Sequence, residues 1–248
     1  MLKAESSHLD LYKALLEREK IPCDFHVTTA FDLCMTEHMA TTGRNAFRAR
    51  QADWPNDTKA FMEIDDPEHL ERLSQVKGPK WGCAYKVGSV HPYKLVNGII
   101  HRCFAMAKGG HGTFNLQTHT PVLSLQEPSA SALWTVKTER GELSAPTVVI
   151  CTNGYTSQLL PEFTNKIIPL RGSCSALAIP PVQPATTPSN EVMRPLFTTY
   201  SIKFSEHDYD YMISRQEYPK HIVVGGAESA HAHDPLLTYG NSDDSTQM

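Results

Sequence analysis

The sequence predicts a mixed α/β fold of the α+β kind, and three observations carry that prediction. Residues 7–19 and 92–106 space their apolar side chains as helices do, residues 25–35 alternate apolar with polar, and residues 147–151 form an unbroken, mostly β-branched run. Helices, a half-buried strand and a fully covered strand in one chain call for sheets with helices packed on them.

In chain order, Leu9, Tyr12, Leu15 and Leu16 fall on one helical face, with Lys13, Glu17 and Arg18 turned away. Ile21-Pro22 ends this helix, because the residue before a proline is pushed out of the α region. From Phe25 the period becomes two: Phe25, Val27, Thr29, Phe31, Leu33 and Met35 predict a strand with one face buried, in an antiparallel sheet. Residues 37–76 are polar, with helical spacing at Leu70, Leu73 and Val76, and read as surface helices and loops.

Gly88-Ser89-Val90-His91-Pro92 opens a second helix, with proline suited to the first turn, Leu95, Ile99, Cys103 and Met106 on one side, and Gly109-Gly110 as its stop. Short strands are predicted at Phe114–Gln117, Val122–Leu125 and around Trp134 and Val136, with a turn at Gly141. Thr147-Val148-Val149-Ile150-Cys151, bounded by Pro146 and by Asn153-Gly154, reads as a strand covered on both faces, as in a parallel sheet. Further strands are expected at 170–179, 211–213 and 222–224. The five prolines between 180 and 195 predict a loop, and 241–248 an unstructured end. Strands of antiparallel type at 25–35 and after 170, with a parallel-type strand between, predict two interleaved sheets.

Composition narrows the functions. The 248 residues are 40% hydrophobic and 20% charged, with a formal net charge of -4, so no basic stripe for nucleic acid or anionic lipid is present. No segment approaches the roughly 18 uninterrupted apolar residues of a membrane span, and the first residues lack the layout of a signal peptide. The expectation is a soluble, cytoplasmic protein whose partner is a small molecule. Six cysteines stand singly, without metal-ligand spacing, so no metal site is expected and most of them read as small buried hydrophobes. His231 and His233 lie in a polar stretch and read as solvated.

The end of the 147–151 run is the best candidate site by pattern, since ligands in open α/β sheets bind beyond the carboxyl ends of strands. There Gly154 would let the backbone approach something flat or charged; an ordinary strand-to-helix turn is the alternative. Five segments then carry a resemblance. They are Gly88 to Val96, Thr118-His119-Thr120-Pro121-Val122, Val148 to Tyr155, Ile168-Pro169-Leu170-Arg171-Gly172, and Asp210 to Arg215 followed by Val223-Val224-Gly225-Gly226. In this order they resemble the D-amino-acid oxidase (DAO) superfamily of FAD-dependent oxidoreductases, particularly its fungal sarcosine-oxidase-like members. The similarity runs from about Ile21 to Ser245 and corresponds to the central half of a full member.

The resemblance implies an incomplete FAD-binding Rossmann-like domain interleaved with an antiparallel substrate domain. Residues 1–87 and 166–248 would belong to the substrate domain and 88–165 to the flavin domain. It implies oxidation of the C–N bond of a small amine or amino acid, with hydride passing to flavin N5 and an imine as product. Val122 and the backbone of Thr152, Asn153 and Gly154 would approach FAD. Arg171 and Arg215 would pair with a substrate carboxylate, a role guanidinium suits by its two parallel donors, or else make surface hydrogen bonds. His91 and His119 would lie near the cofactor or serve the fold, and Tyr155 would pack behind the turn; no catalytic residue is assigned.

The departures from the pattern matter equally. Gly110-x-Gly112 fails as the start of a Gly-x-Gly-x-x-Gly fingerprint at Asn115, so the loop that holds the FAD pyrophosphate is not found. Gly43-Arg44-Asn45 imitates a cofactor segment but sits in a polar helical stretch, and Cys151 stands where alanine is usual. The alternative expectation is therefore a truncated, non-catalytic remnant that does not bind FAD. A full-length form would be cytoplasmic or peroxisomal.

Overall fold

Alternation in the 25–35 segment builds the strand on which the largest sheet grows. The computed structural model describes residues 2–128, 133–169, 172–178, 198–215 and 221–226. The helices are α1 (Leu2–Glu19), α2 (Glu37–Asp53), α3 (Pro55–Thr58), α4 (Pro67–Ser74), α5 (Pro92–Lys108) and α6 (Thr156–Leu159). The strands are β1 (His26–Cys34), β2 (Phe61–Ile64), β3 (Trp81–Ser89), β4 (Val122–Gln126), β5 (Trp134–Thr138), β6 (Gly141–Ala145), β7 (Ser173–Ala178), β8 (Thr199–Lys203), β9 (Tyr209–Ser214) and β10 (His221–Gly226). Two compact units result. One comprises Met1–His111 with Ser173–Ala230, the other Gly112–Gly172 with His231–Met248.

The first unit holds a seven-stranded sheet in the order β2-β3-β1-β8-β9-β10-β7. β1 pairs antiparallel with β3 from His26↔Ser89 to Cys34↔Trp81, and parallel with β8 from Ala30↔Thr199 to Cys34↔Lys203. The strands before residue 35 and after 170 therefore share one sheet, and the parallel pairing belongs to β1 rather than to the 147–151 run. The prediction of one buried face does not hold for β1: in its first half Val27, on the face predicted to be buried, is 45% exposed. From Ala30 to Cys34 both faces are covered, because Phe31 and Leu33 pack with Ile64, Leu70, Ala84 and Tyr200, while Cys34 packs with Met39, Ala40, Trp81 and Cys83.

Sequence chemistry fixes the helices around this sheet. The Thr36 hydroxyl accepts from the Met39 amide at the start of α2, and the Asp66 carboxylate accepts from the Glu68 amide at the start of α4. Gly43 brings α2 close to the sheet: a Cβ there would lie 2.8 Å from the Trp81 ring. At Gly82 a Cβ would lie 2.7 Å from the Asp32 carbonyl oxygen, so only glycine lets β3 pass β1 at that point.

The α1 end and α5 are joined across a similar close approach. Leu16, Ile21 and Cys23 form a small core with Phe25, Val90 and Leu95, and a Cβ on Gly98 would meet Ile21 Cγ2. Arg102 binds Glu19 at 2.7 Å and Lys94 binds Asp24 at 2.6 Å across the same junction. Hydrogen bonds from Arg18 and then Arg102 hold the Glu19 carboxyl below its usual range. Leu95 packs as predicted, whereas Ile99 and Met106 of the predicted apolar face of α5 are exposed.

The second unit contains the antiparallel sheet β4-β5-β6. Two predicted strands are absent from it, Phe114–Gln117 and 147–151, neither of which is in strand conformation. A strand requires a neighbouring strand for its amides and carbonyls, and neither segment joins either sheet of the described residues. Val148 and Ile150 are half-buried while Val149 is 77% exposed, so the run is not covered on both faces.

Of the cysteines, Cys23, Cys34 and Cys83 are buried as predicted, Cys103 is half-buried, and Cys151 and Cys174 are exposed, contrary to the general expectation. Burial pushes the Cys83 thiol from its ordinary 9.0 up to about 12, and drives Cys34 and Tyr85 in the same direction. An unfolded chain releases the Cys83 proton near pH 9, whereas the folded chain keeps it to about 12. The stability this confers is complete below pH 9 and is lost as pH climbs toward 12. The thermal midpoint is expected to fall across that interval, with a shallower fall in Cys83→Ala.

Candidate functional site

The turn at residues 152–155 is held by its own threonines. Asn153 has φ +47, a left-handed conformation that asparagine accepts more readily than most residues, and opens a single 3₁₀ turn, Asn153–Tyr155. The Tyr155 amide donates to the Thr152 carbonyl at 3.0 Å, and the Thr156 hydroxyl donates to the Asn153 carbonyl at 2.7 Å. With that proton committed, the 3.0 Å contact between the Thr152 and Thr156 hydroxyls has Thr152 as donor. Thr156 is 7% exposed and ties the turn from beneath. The sequence reading missed it, since a threonine after Asn-Gly-Tyr carries no signal of its own.

Of the residues singled out by sequence, Val122 and Thr152 to Gly154 all lie in the second unit, where α6 follows the turn directly and packs against β4. Val122 is half-buried at the start of β4, beside an irregularity in its pairing with β5 between Val122 and Ser124. A Cβ on Gly154 would meet Pro169 Cβ at 3.1 Å, so the close neighbour that glycine permits here is Pro169. Tyr155 is 44% exposed.

Arg215 lies in the first unit, just after β9, where its amide donates to the His221 carbonyl at 2.8 Å. Arg171, His231 and His233 lie outside the described residues. His91 precedes α5, its amide donating to the Cys23 carbonyl at 2.9 Å and its Nδ1 buried without a hydrogen-bond partner among the described residues. His119 is exposed, with φ +50. Arg44 lies within α2 and binds Asp65 and the Lys80 carbonyl, a structural arrangement that accounts for Gly43-Arg44-Asn45.

A dinucleotide needs backbone amides free at a helix start. Among the described residues the longer helices that follow a loop begin after Thr36, Asp66 and His91, none directly after a glycine-rich turn, and the Thr36 and Asp66 side chains already engage amides there. The described residues therefore supply no cradle for a pyrophosphate. No group of three His, Cys, Asp or Glu side chains among them is placed to hold a metal ion, and no helix among them is long and apolar enough to cross a membrane.

The first unit also contains a cavity of about 280 Å³ between α2 and the sheet, with Asp32, Arg50 and Lys203 among its lining residues. Sequence reading did not single out these residues. Asp32 falls on the polar side of the alternation that predicts a half-buried strand, a side that α2 covers.

Comparison with known proteins agrees with this architecture. Glycine oxidase from Geobacillus kaustophilus superposes with a TM-score of 0.63 at 18% identity, over 91% of this chain and 54% of that one. L-proline dehydrogenase from P. horikoshii gives 0.59 at 16% identity, over 88% and 53%. Iminodiacetate oxidase from Chelativorans sp. BNC1 gives 0.54 at 14% identity, over 91% and 56%. The chain thus spans about half the length of these structures, and at such identities the likeness is one of fold. No curated protein matches. Residues 2–247 match the DAO family, described as FAD dependent oxidoreductase, and the chain belongs to that family.

Proposed function

We propose that the protein oxidises the C–N bond of a small amine or amino acid with FAD, in the manner of the sarcosine-oxidase-like branch of its family. The observation that carries this reading is the family match over nearly the whole chain. Glycine oxidase, L-proline dehydrogenase and iminodiacetate oxidase are named for amino-acid substrates and share the fold.

In this reading Val122 and the turn Thr152–Gly154 face the cofactor, which when bound would accept a hydride and leave an imine. The packing of α6 on β4 supports placing these residues in one site. Thr156, by holding the turn, would position its backbone. Arg215 and Arg171 would receive a substrate carboxylate, for which the guanidinium fork is suited. No step is assigned to the flavin, because the described residues do not complete its binding site.

That last point favours a second reading, a chain that keeps the family fold without binding FAD. Its specific support is the bare 147–151 run, with Val149 77% exposed where a cofactor-bearing sheet would be covered. Adding FAD to the purified chain, desalting and recording visible absorption decides between them. The first reading expects near-stoichiometric bound flavin that bleaches anaerobically with an amine or amino acid. A colourless protein that takes up no FAD establishes the second.

A further inference from the structure

The cavity beneath α2 is built from one helix and one face of the sheet. Met39, Ala46 and Phe47 from α2 and Phe61 and Trp81 from the strands supply apolar walls. Its charged groups are Asp32, Arg50 and Lys203. Among the described lining residues the single carboxylate is already engaged: Asp32 accepts from the Tyr85 hydroxyl at 3.3 Å and lies 3.9 Å from Lys203 Nζ.

Arg50 is in a different position. Its guanidinium carbon lies over the Phe61 ring, 4.8 Å from the centroid, a cation–π contact that is not a hydrogen bond. Its Nε–H is buried and has no hydrogen-bond partner among the described residues. Buried donors of charged groups are rarely left so, since desolvation without a partner is costly. The group that satisfies a guanidinium edge best is a carboxylate, which accepts two parallel N–H donors.

We propose that this cavity binds a small organic carboxylate with an apolar body, its carboxylate on Arg50 and its body between Phe47, Met39 and Trp81. Among the described lining residues two cations stand against one committed acid, a positive balance that an anion offsets. At about 280 Å³ the space is just under the roughly 300–1,000 Å³ of pockets for drug-sized ligands, which limits the occupant to a small molecule. The site lies wholly within the first unit and does not depend on flavin, so its test is independent of the proposed oxidation.

Isothermal titration of the purified full chain with 4-methylpentanoate, and with 4-methylpentanamide as its uncharged counterpart, tests the assignment. The acid is expected to bind at least about tenfold tighter than the amide, as a charge-assisted contact implies. Arg50→Gln is expected to weaken acid binding by about tenfold or more with an unchanged circular dichroism spectrum. Should that variant fail to fold, Ala46→Leu, which places a larger side chain in the cavity, is expected to abolish binding. Equal affinity for acid and amide, undiminished acid binding by either folded variant, or no binding of the acid at millimolar concentration overturns the proposal.

Discussion

Trp81→Ala is expected to destabilise the first unit by about 4 kcal/mol, the scale of emptying a buried tryptophan site. Trp81 is 4% exposed and meets Phe47 edge-on, with ring centroids 6.2 Å apart. Its indole N–H donates to Glu63 Oε1 at 3.1 Å, which ties β3 to β2. Gly43 is glycine because this ring occupies the space where a Cβ would stand, so truncation opens a void that α2 cannot fill from its own side chain. Trp81→Phe keeps most of the ring and loses the indole donor, and is expected to cost well under half as much. Urea unfolding followed by circular dichroism measures both; a loss below about 1.5 kcal/mol for the alanine variant would mean that the α2 face relaxes far more freely than its packing implies.

Leu33→Ala is expected to cost about 3 kcal/mol. Leu33 and Leu70 are both fully buried and belong to one cluster, with Phe31 and Tyr200 stacked 5.8 Å apart beside them. Because the two leucines share a cluster, the double variant Leu33→Ala, Leu70→Ala is expected to fall short of the sum of the single losses by at least about 0.5 kcal/mol, as one enlarged cavity collapses more readily than two. Strict additivity in the same unfolding assay would show that the two sites relax independently.

The sequence revealed most where a local period was long and unbroken. The alternation from Phe25 to Met35 and the helical spacing after His91 each mark an element that the structure contains, β1 and α5. β2, β3, β6 and β8 were illegible for physical reasons. β3 begins Trp81-Gly82 and ends near Gly88, and glycine weakens a strand signal; yet Gly82 is required by the approach of the Asp32 carbonyl, which only the folded sheet reveals. β6 and β8 are five residues long and β2 four, too short for a period alone to mark them.

The 147–151 run misled in the opposite direction. Its β-branched residues state a preference for strand, but pairing depends on a neighbour that composition cannot supply. For the candidate site, the Asn-Gly turn could be read locally, whereas the Thr156 hydroxyl beneath it and the Arg50 cavity arise from packing between segments. Asp32 illustrates the limit, since an acidic residue in an alternating strand gives no sign of the helix that covers it.

The pairing of β1 with β8 has a kinetic consequence. Thr36, just beyond β1, donates its hydroxyl to the carbonyl of Phe204, just beyond β8, at 3.2 Å and a separation of 168 residues. Contacts so distant along the chain close late, because the loop entropy must be overcome before they contribute. On a ribosome, β1, β2 and β3 can pair with one another as they emerge, while the far edge of β1 waits for β8 to be synthesised. That waiting edge is the place where intermolecular strand pairing would compete with folding.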